Sequence, residues 1–193
     1  KTTPYEHQLE TLSRSAHKNL FALFLEMGLG KSKILLDNAS ILFEQGKITG
    51  LLIVTPKGNL RNWDTHEISK HLPDQIERNV LVWQPNHTQQ WTQDYEKMVK
   101  EDSDGVLNIF LVNVEAFATV RACTFVEEFL VTHDVMMAVD ESTTIKNPKA
   151  KRTKHLIKLA PLADYRRILT GFPITKAPLD LYSQCYFLSP NLL

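Results

Sequence analysis

The sequence predicts an α/β fold in three layers, a mainly parallel sheet between helices, on three observations. Apolar runs of strand length recur along the chain and are nearly continuous rather than alternating, which implies strands buried on both faces. Stretches with helical spacing lie between them, as the crossovers of parallel strands require. At 193 residues and 43% hydrophobic content, the chain is long enough to bury one such core and too apolar for disorder.

The elements follow in order. A helix comes first, with Leu9, Leu12 and Ala16 on one face. Residues 20–25 (LFALFL) form the first strand, and a glycine-bearing turn leads into a helix whose Leu35, Ala39 and Leu42 make one stripe. Residues 51–55 (LLIVT) are the second strand. The helix after it offers Leu60, Ile68 and Leu72 as neighbours of Trp63, which reads as a core anchor rather than a platform for bases. Residues 80–83 (VLVW) are the third. Residues 84–106 fit least well: 84–93 are polar, and 94–104 carry five acids against two lysines, so this part reads as a solvated surface helix and loop. Residues 107–112 (LNIFLV), 135–139 (VMMAV) and 167–170 (RILT) complete the strands, and Leu181, Cys185 and Leu188 mark a last helix.

Charge and composition exclude several classes. Lys and Arg number 22, as do Asp and Glu, so bulk charge does not drive nucleic-acid binding, although a local basic strip still can. No apolar run approaches the ~18 residues of a membrane span. The polar start, Lys1 to Tyr5, lacks the apolar stretch of a signal peptide. Cys123 and Cys185 have no metal spacing, the seven histidines have none either, and no Ser/His/Asp nucleophile set is present. A reducing cytosol is the simple reading, in the cytoplasm or beside the nucleoid.

The most informative stretch is LFALFLEMGLGKS, residues 20–32. A strand runs into Gly28-Leu29-Gly30-Lys31-Ser32 and a helix follows. Glycines let backbone N–H groups curl round an anion, and the helix N-terminus adds partial positive charge. Lys31 is placed for the β- and γ-phosphates of a nucleotide, and Ser32 offers a hydroxyl to Mg²⁺. The general phosphate-loop pattern wants Gly where Leu25 stands, so a plain glycine-rich turn with an unrelated lysine is the other reading. A second signal weighs against it. The strand at 135–139 ends in Asp140-Glu141-Ser142-Thr143, and carboxylates at the C-terminal ends of parallel strands sit where ligands bind. Asp140 is the candidate for Mg²⁺ and Glu141 for polarising the attacking water.

With the segments between them, these motifs resemble the first RecA-like, P-loop NTPase lobe of a superfamily-two helicase, above all the Swi/Snf-type ATPases. Pro4-Tyr5-Glu6-His7-Gln8 resembles the upstream glutamine motif, which implies that Gln8 reads adenine. Glu26 to Ser32 resembles the family's phosphate loop, where the early Gly is normally missing; Met27, Gly28, Leu29, Gly30, Lys31 and Ser32 would hold the nucleotide. Leu52-Ile53-Val54-Thr55-Pro56 is similar to motif Ia, with Asn62-Trp63 after it, and residues 112–115 fall at a further DNA-facing motif. Asp140 to Thr143 resembles the acidic box, with Ile145-Lys146-Asn147 following. Leu169 to Ile174 resembles motif III, in which Thr170 and Gly171 would couple nucleotide state to movement. The sequence departs from the family at Thr143, Phe172 and Lys176, and the acidic box with the compact length suggests a minimal phage or bacterial relative, in a host cytoplasm if phage-encoded.

The resemblance implies ATP and Mg²⁺ as cofactors and sequence-nonspecific nucleic acid, DNA foremost, as partner. It also implies that residues 1–193 are a single N-terminal ATP-binding lobe, nearly inactive without a C-terminal RecA-like lobe. Thr55 and Lys57 are the candidates for backbone phosphates, with Asn113 beside them. Residues 142–163 carry no Asp or Glu but include Lys146, Lys149, Lys151, Arg152, Lys154 and Lys158. This strip suits nucleic acid, a second lobe, or a solvated face. Two other functions share the motifs: a nucleotide-dependent binding module without motor activity, and the translocase subunit of a restriction system.

Overall fold

The computed structural model describes residues 1–100 and 105–192. Helix α1 (Glu6–Ser15) precedes β1 (Leu20–Phe24) and α2 (Lys31–Glu44). Strand β2 (Gly50–Thr55) leads into a helical run made of α3 (Leu60–Asn62), a π-turn (Trp63–Glu67) and α4 (Ile68–His71). Then come β3 (Glu77–Val82), α5 (Gln89–Lys100), β4 (Val106–Asn113), α6 (Val120–Thr132) and β5 (Val135–Asp140). Helix α7 (Lys151–Leu159), β6 (Tyr165–Thr170) and α8 (Tyr182–Leu188) follow. The six strands form one sheet in the order β1-β6-β5-β2-β4-β3, every pair parallel.

The pleat sorts each central strand into two cores. On β2, Leu52 and Val54 join one cluster while Leu51 and Ile53 join the other; on β5, Val135, Met137 and Val139 separate in the same way from Met136 and Ala138. Helices α5, α6, α7 and α8 cover the first face, and α2 with the run from α3 to α4 covers the second. Strands β2 and β5 are buried along their whole length, whereas the edge strands β1 and β3 are partly exposed. This three-layer α/β arrangement is the predicted one.

Three details differ from expectation. Leu9 was placed on the inner face of α1 but is 51% exposed. Leu12 and Ala16 do face inward, and the rest of the buried side is polar: Gln8 and Ser15, whose partners are the Leu29 carbonyl and the Arg167 guanidinium. Helix α5 is not merely a solvated surface element: Trp91, Tyr95 and Met98, at i, i+4 and i+7, are buried. The Trp91 indole donates to the Val82 carbonyl at 2.8 Å and the Tyr95 hydroxyl to the Phe125 carbonyl at 2.6 Å; the acids at 101–104 lie outside the described residues. On α8 the inner face is Gln184, Phe187 and Leu188, with Cys185 only half-buried.

Arg167, read as the opening of a strand, is wholly buried. Its five N–H groups reach five carbonyl oxygens: Asn38 Oδ1 at 3.0 Å, and the main chain of Asn19 (2.9 Å), Arg166 (2.9 Å), Ser15 (3.1 Å) and Lys18 (2.7 Å). It therefore fastens the α1–β1 connection to α2 and β6. Among the described residues, no helix is long and apolar enough to cross a membrane.

Candidate nucleotide site

The strand-to-helix turn after β1 has the geometry its glycines allow. Gly28 and Gly30 take φ of 81° and 80°, a region that side chains with a Cβ disfavour. At Gly30 a Cβ would also lie 2.3 Å from Gln8 Nε2, so the conformation favours glycine and any larger residue would push the Gln8 amide off the loop. Gln8 is buried, donates to the Leu29 carbonyl at 3.2 Å and accepts from the Tyr5 N–H at 3.0 Å. Its amide thus braces the loop. Tyr5, which the sequence reading passed over, is 71% exposed beside it with its ring stacked on His7. Lys31 opens α2, and its ammonium donates to the carbonyls of Leu25 (3.0 Å) and Glu26 (3.2 Å), over the loop's own mouth. Met27 and Leu29 project outward, 74% and 37% exposed.

The acidic strand end faces this loop. Asp140 Oδ2 accepts from the Thr55 hydroxyl and from the Trp63 indole N–H, each at 2.9 Å, and Oδ1 accepts from the Glu141 N–H at 3.0 Å. Glu141 stands in the left-handed region at φ 47° and is half-buried. Burial pushes its carboxyl above the usual range, and neighbouring Asp140 adds to the shift; the Lys31 ammonium and Thr170 hydroxyl oppose it. Thr170 closes β6, and a Cβ on the next residue, Gly171, would come within 3.4 Å of the Met27 N–H. The segment after β6 therefore rests against both the phosphate loop and the acidic end.

Lys31, Ser32, Asp140 and Glu141 line one cleft of about 510 Å³. Its far wall, not anticipated from the sequence, comes from the helical run after β2: Asn62, Trp63, Glu67, Lys70 and His71. Burial lowers the His71 pKa, and Glu67 partly offsets this. The Ser32 hydroxyl and Asp140 carboxylate are hard oxygen donors. One or two such ligands suit Mg²⁺, which keeps most of its positions for water and phosphate.

The nucleic-acid candidates separate. Lys57 is exposed and Asn113 half-exposed, its amide donating to Glu115 at 3.0 Å. Both line a hollow of about 430 Å³ at the C-terminal ends of β2 and β4, floored by Leu60, Trp83 and Pro85. Arg121, unremarked in the sequence, joins its rim, held by His87 at 2.8 Å and the Pro85 carbonyl at 3.3 Å. Thr55 is fully buried and its hydroxyl is engaged by Asp140, so its side chain faces the cleft wall rather than a passing strand. Lys146 donates to Thr175 Oγ1 and pairs with Asp180 at 3.7 Å, which ties the acidic-box loop to the segment after β6. Lys149, Lys151, Lys154 and Lys158 are exposed.

Known proteins are similar to this chain in sequence and in fold. The chain is 27% identical over 165 residues to chromatin remodeling factor mit1 of Schizosaccharomyces pombe, covering 86% of this chain and 11% of that protein. It is 28% identical over 201 residues to chromatin-remodeling ATPase INO80 of Lodderomyces elongisporus, covering 100% of this chain and 12% of that one. The chain thus spans about a tenth of these relatives. Among solved structures, the Sulfolobus solfataricus SWI2/SNF2 ATPase core in complex with dsDNA matches with a TM-score of 0.76 at 25% identity, over 100% of this chain and 37% of that chain. The family model described as SNF2-related domain matches residues 8–193, from the glutamine that braces the phosphate loop to the final leucine, and the chain belongs to that family.

Proposed function

We propose that this chain is the N-terminal ATP-binding lobe of a nucleic-acid-dependent ATPase that hydrolyses ATP to drive movement on DNA without reading its sequence. The observation that carries the reading is the convergence of Lys31, Ser32, Asp140 and Glu141 on one cleft. Lys31 moves from the loop carbonyls to the β- and γ-phosphates, and the N-terminus of α2 adds its partial charge. Ser32 and Asp140 are the residues that would hold magnesium, which when bound would supply charge neutralisation on the phosphate oxygens. Glu141, with its raised proton affinity, orients the attacking water and takes its proton. Gln8 acts through the loop it braces, and the exposed Tyr5 ring offers the adenine a stacking face. Thr170 and Gly171, touching both halves of the site, couple its state to the segment after β6.

The duplex in the SWI2/SNF2 core structure and the chromatin-remodelling relatives support DNA as the partner. Lys57, Asn113 and Arg121 meet its backbone, with the exposed lysines of α7 as a weaker, salt-sensitive contribution. A second RecA-like lobe completes the site by supplying arginine to the transferring phosphate, and residues 1–193 alone turn over ATP near background. Calorimetric titration with Mg²⁺–ATP tests the reading. Lys31→Ala should weaken binding by ~1.5–3 kcal/mol, the worth of a charge-assisted contact. Equal affinity in variant and wild type would remove the phosphate-loop assignment.

A further inference from the structure

We propose that Trp63 and Thr55 form a two-pronged clamp that sets the Asp140 carboxylate for a divalent cation, which makes Trp63 a positioning residue of the site; the inference rests on the ATPase reading. Both donors converge on one oxygen, Oδ2, each at 2.9 Å, and both are buried, Trp63 at 2% exposure and Thr55 at 0%. They come from different elements, the end of β2 and the helical run that follows. With Oδ2 held from two directions, the carboxylate cannot swing about its Cβ–Cγ bond. Oδ1 accepts one hydrogen bond, from the Glu141 N–H, which leaves it a second lone pair, and Asp140 lines the cleft.

The backbone is shaped to make this contact. The Ile68 N–H donates to the Trp63 carbonyl, five residues back, so the helix opens into a π-turn at this point. In a regular α-helix, residues five apart diverge by about 140°. The wider turn lets Trp63 and Ile68 face the sheet together, so Ile68 and Leu72 stay in the core while the indole reaches Asp140. Turns of this kind recur at functional sites. Packing alone does not account for the residue types. Phenylalanine would supply most of the apolar contact of the indole, though not its full volume, and valine has the shape of threonine, yet both positions carry a donor aimed at one carboxylate oxygen.

The test is calorimetric titration of ATP into the full chain, in EDTA and in saturating Mg²⁺, for wild type, Trp63→Phe, Thr55→Val and Thr55→Ser. The ratio of the two affinities reports the cation alone. Electron paramagnetic resonance with Mn²⁺ and ATP provides a second readout without turnover. In Trp63→Phe and Thr55→Val the affinity in EDTA should stay within about twofold of wild type while the Mg²⁺ enhancement falls about tenfold or more, as loss of a partner to a metal ligand does. Thr55→Ser, which keeps the hydroxyl, should retain the enhancement. Thr55→Val is the nearly isosteric check should the Trp63 variant fold poorly. An enhancement unchanged in both donor-less variants, or affinities lowered equally in EDTA and Mg²⁺, would overturn the clamp and leave packing as the role of these side chains. A wild type that bound ATP in neither buffer would overturn the ATPase reading instead.

Discussion

Glu141 is the residue at which stability and chemistry pull apart. Its φ of 47° is uncommon for a residue with a Cβ, and such positions cluster at functional sites. Burial, with Asp140 beside it, raises its proton affinity. A carboxyl with a folded pKa above its unfolded value binds its proton more tightly in the fold. Its ionised form therefore lowers stability once the pH passes the folded pKa, and that penalty is absent below the unfolded one. Glu141→Gln should accordingly melt higher than wild type at about pH 8 and at the same temperature near pH 4, where a free glutamate is mostly protonated. Scanning calorimetry at the two pH values checks this. Equal melting temperatures at pH 8 would show that the carboxylate carries no burial penalty. The place of Glu141 beside the phosphate loop was legible in the sequence because it follows a strand ending in Asp140; its left-handed backbone was not, since nothing in Asp-Glu-Ser-Thr demands a positive φ.

Among the elements, the α1–β1 connection depends most on a single side chain. Arg167 sits inside the sheet with every N–H satisfied by a carbonyl oxygen, and burial draws its pKa down to about 10, still well above neutrality. Arg167→Met would fill much of the volume but strip that donor from five acceptors, two of which, Asn38 Oδ1 and the Ser15 carbonyl, belong to buried residues. A loss of ~3 kcal/mol or more follows, since each buried unsatisfied group costs ~1–3 kcal/mol. For a chain of this length that lowers the melting temperature by roughly 10 °C. Arg167→Lys, with three donors in place of five, should fall between; a thermal melt of the two variants that matched wild type would refute the bracing role. Nothing local announces this. Arg-Ile-Leu-Thr reads as a strand with a polar first residue, and four of the five acceptors come from segments 129 to 152 positions away. The same limit hid the purpose of Trp63 and Thr55. Their types were visible, and Trp63 was recognised as an anchor, but the oxygen they share belongs to a strand far downstream.

For the molecule as a whole, the layers were legible because central parallel strands are buried on both faces, and residues 51–54 and 135–139 have no choice but to be apolar throughout. Polar members of the site were legible by motif where neighbours in sequence act together, as in the phosphate loop, and obscure where the sheet brings strangers together. The order of that sheet has a consequence in time. Strand β1, which delivers the phosphate loop, lies at an edge, and its neighbour is β6, in a register that pairs Leu20 with Arg166. Strands β2 to β5 can join one another earlier, but the loop-bearing strand waits for residues near 170. Contacts so distant in sequence form slowly, because a long loop must close first. At synthesis rates of ~5–20 residues per second, a nascent chain carries an undocked phosphate loop for roughly ten to thirty seconds. On dilution from denaturant, a fluorescent ATP analogue should therefore report binding only in the slowest phase, after tryptophan fluorescence has registered most of the burial. Simultaneous traces would show that β1 docks early without its neighbour. If the order holds, the first ATP bound by a nascent chain certifies that β6 is in place.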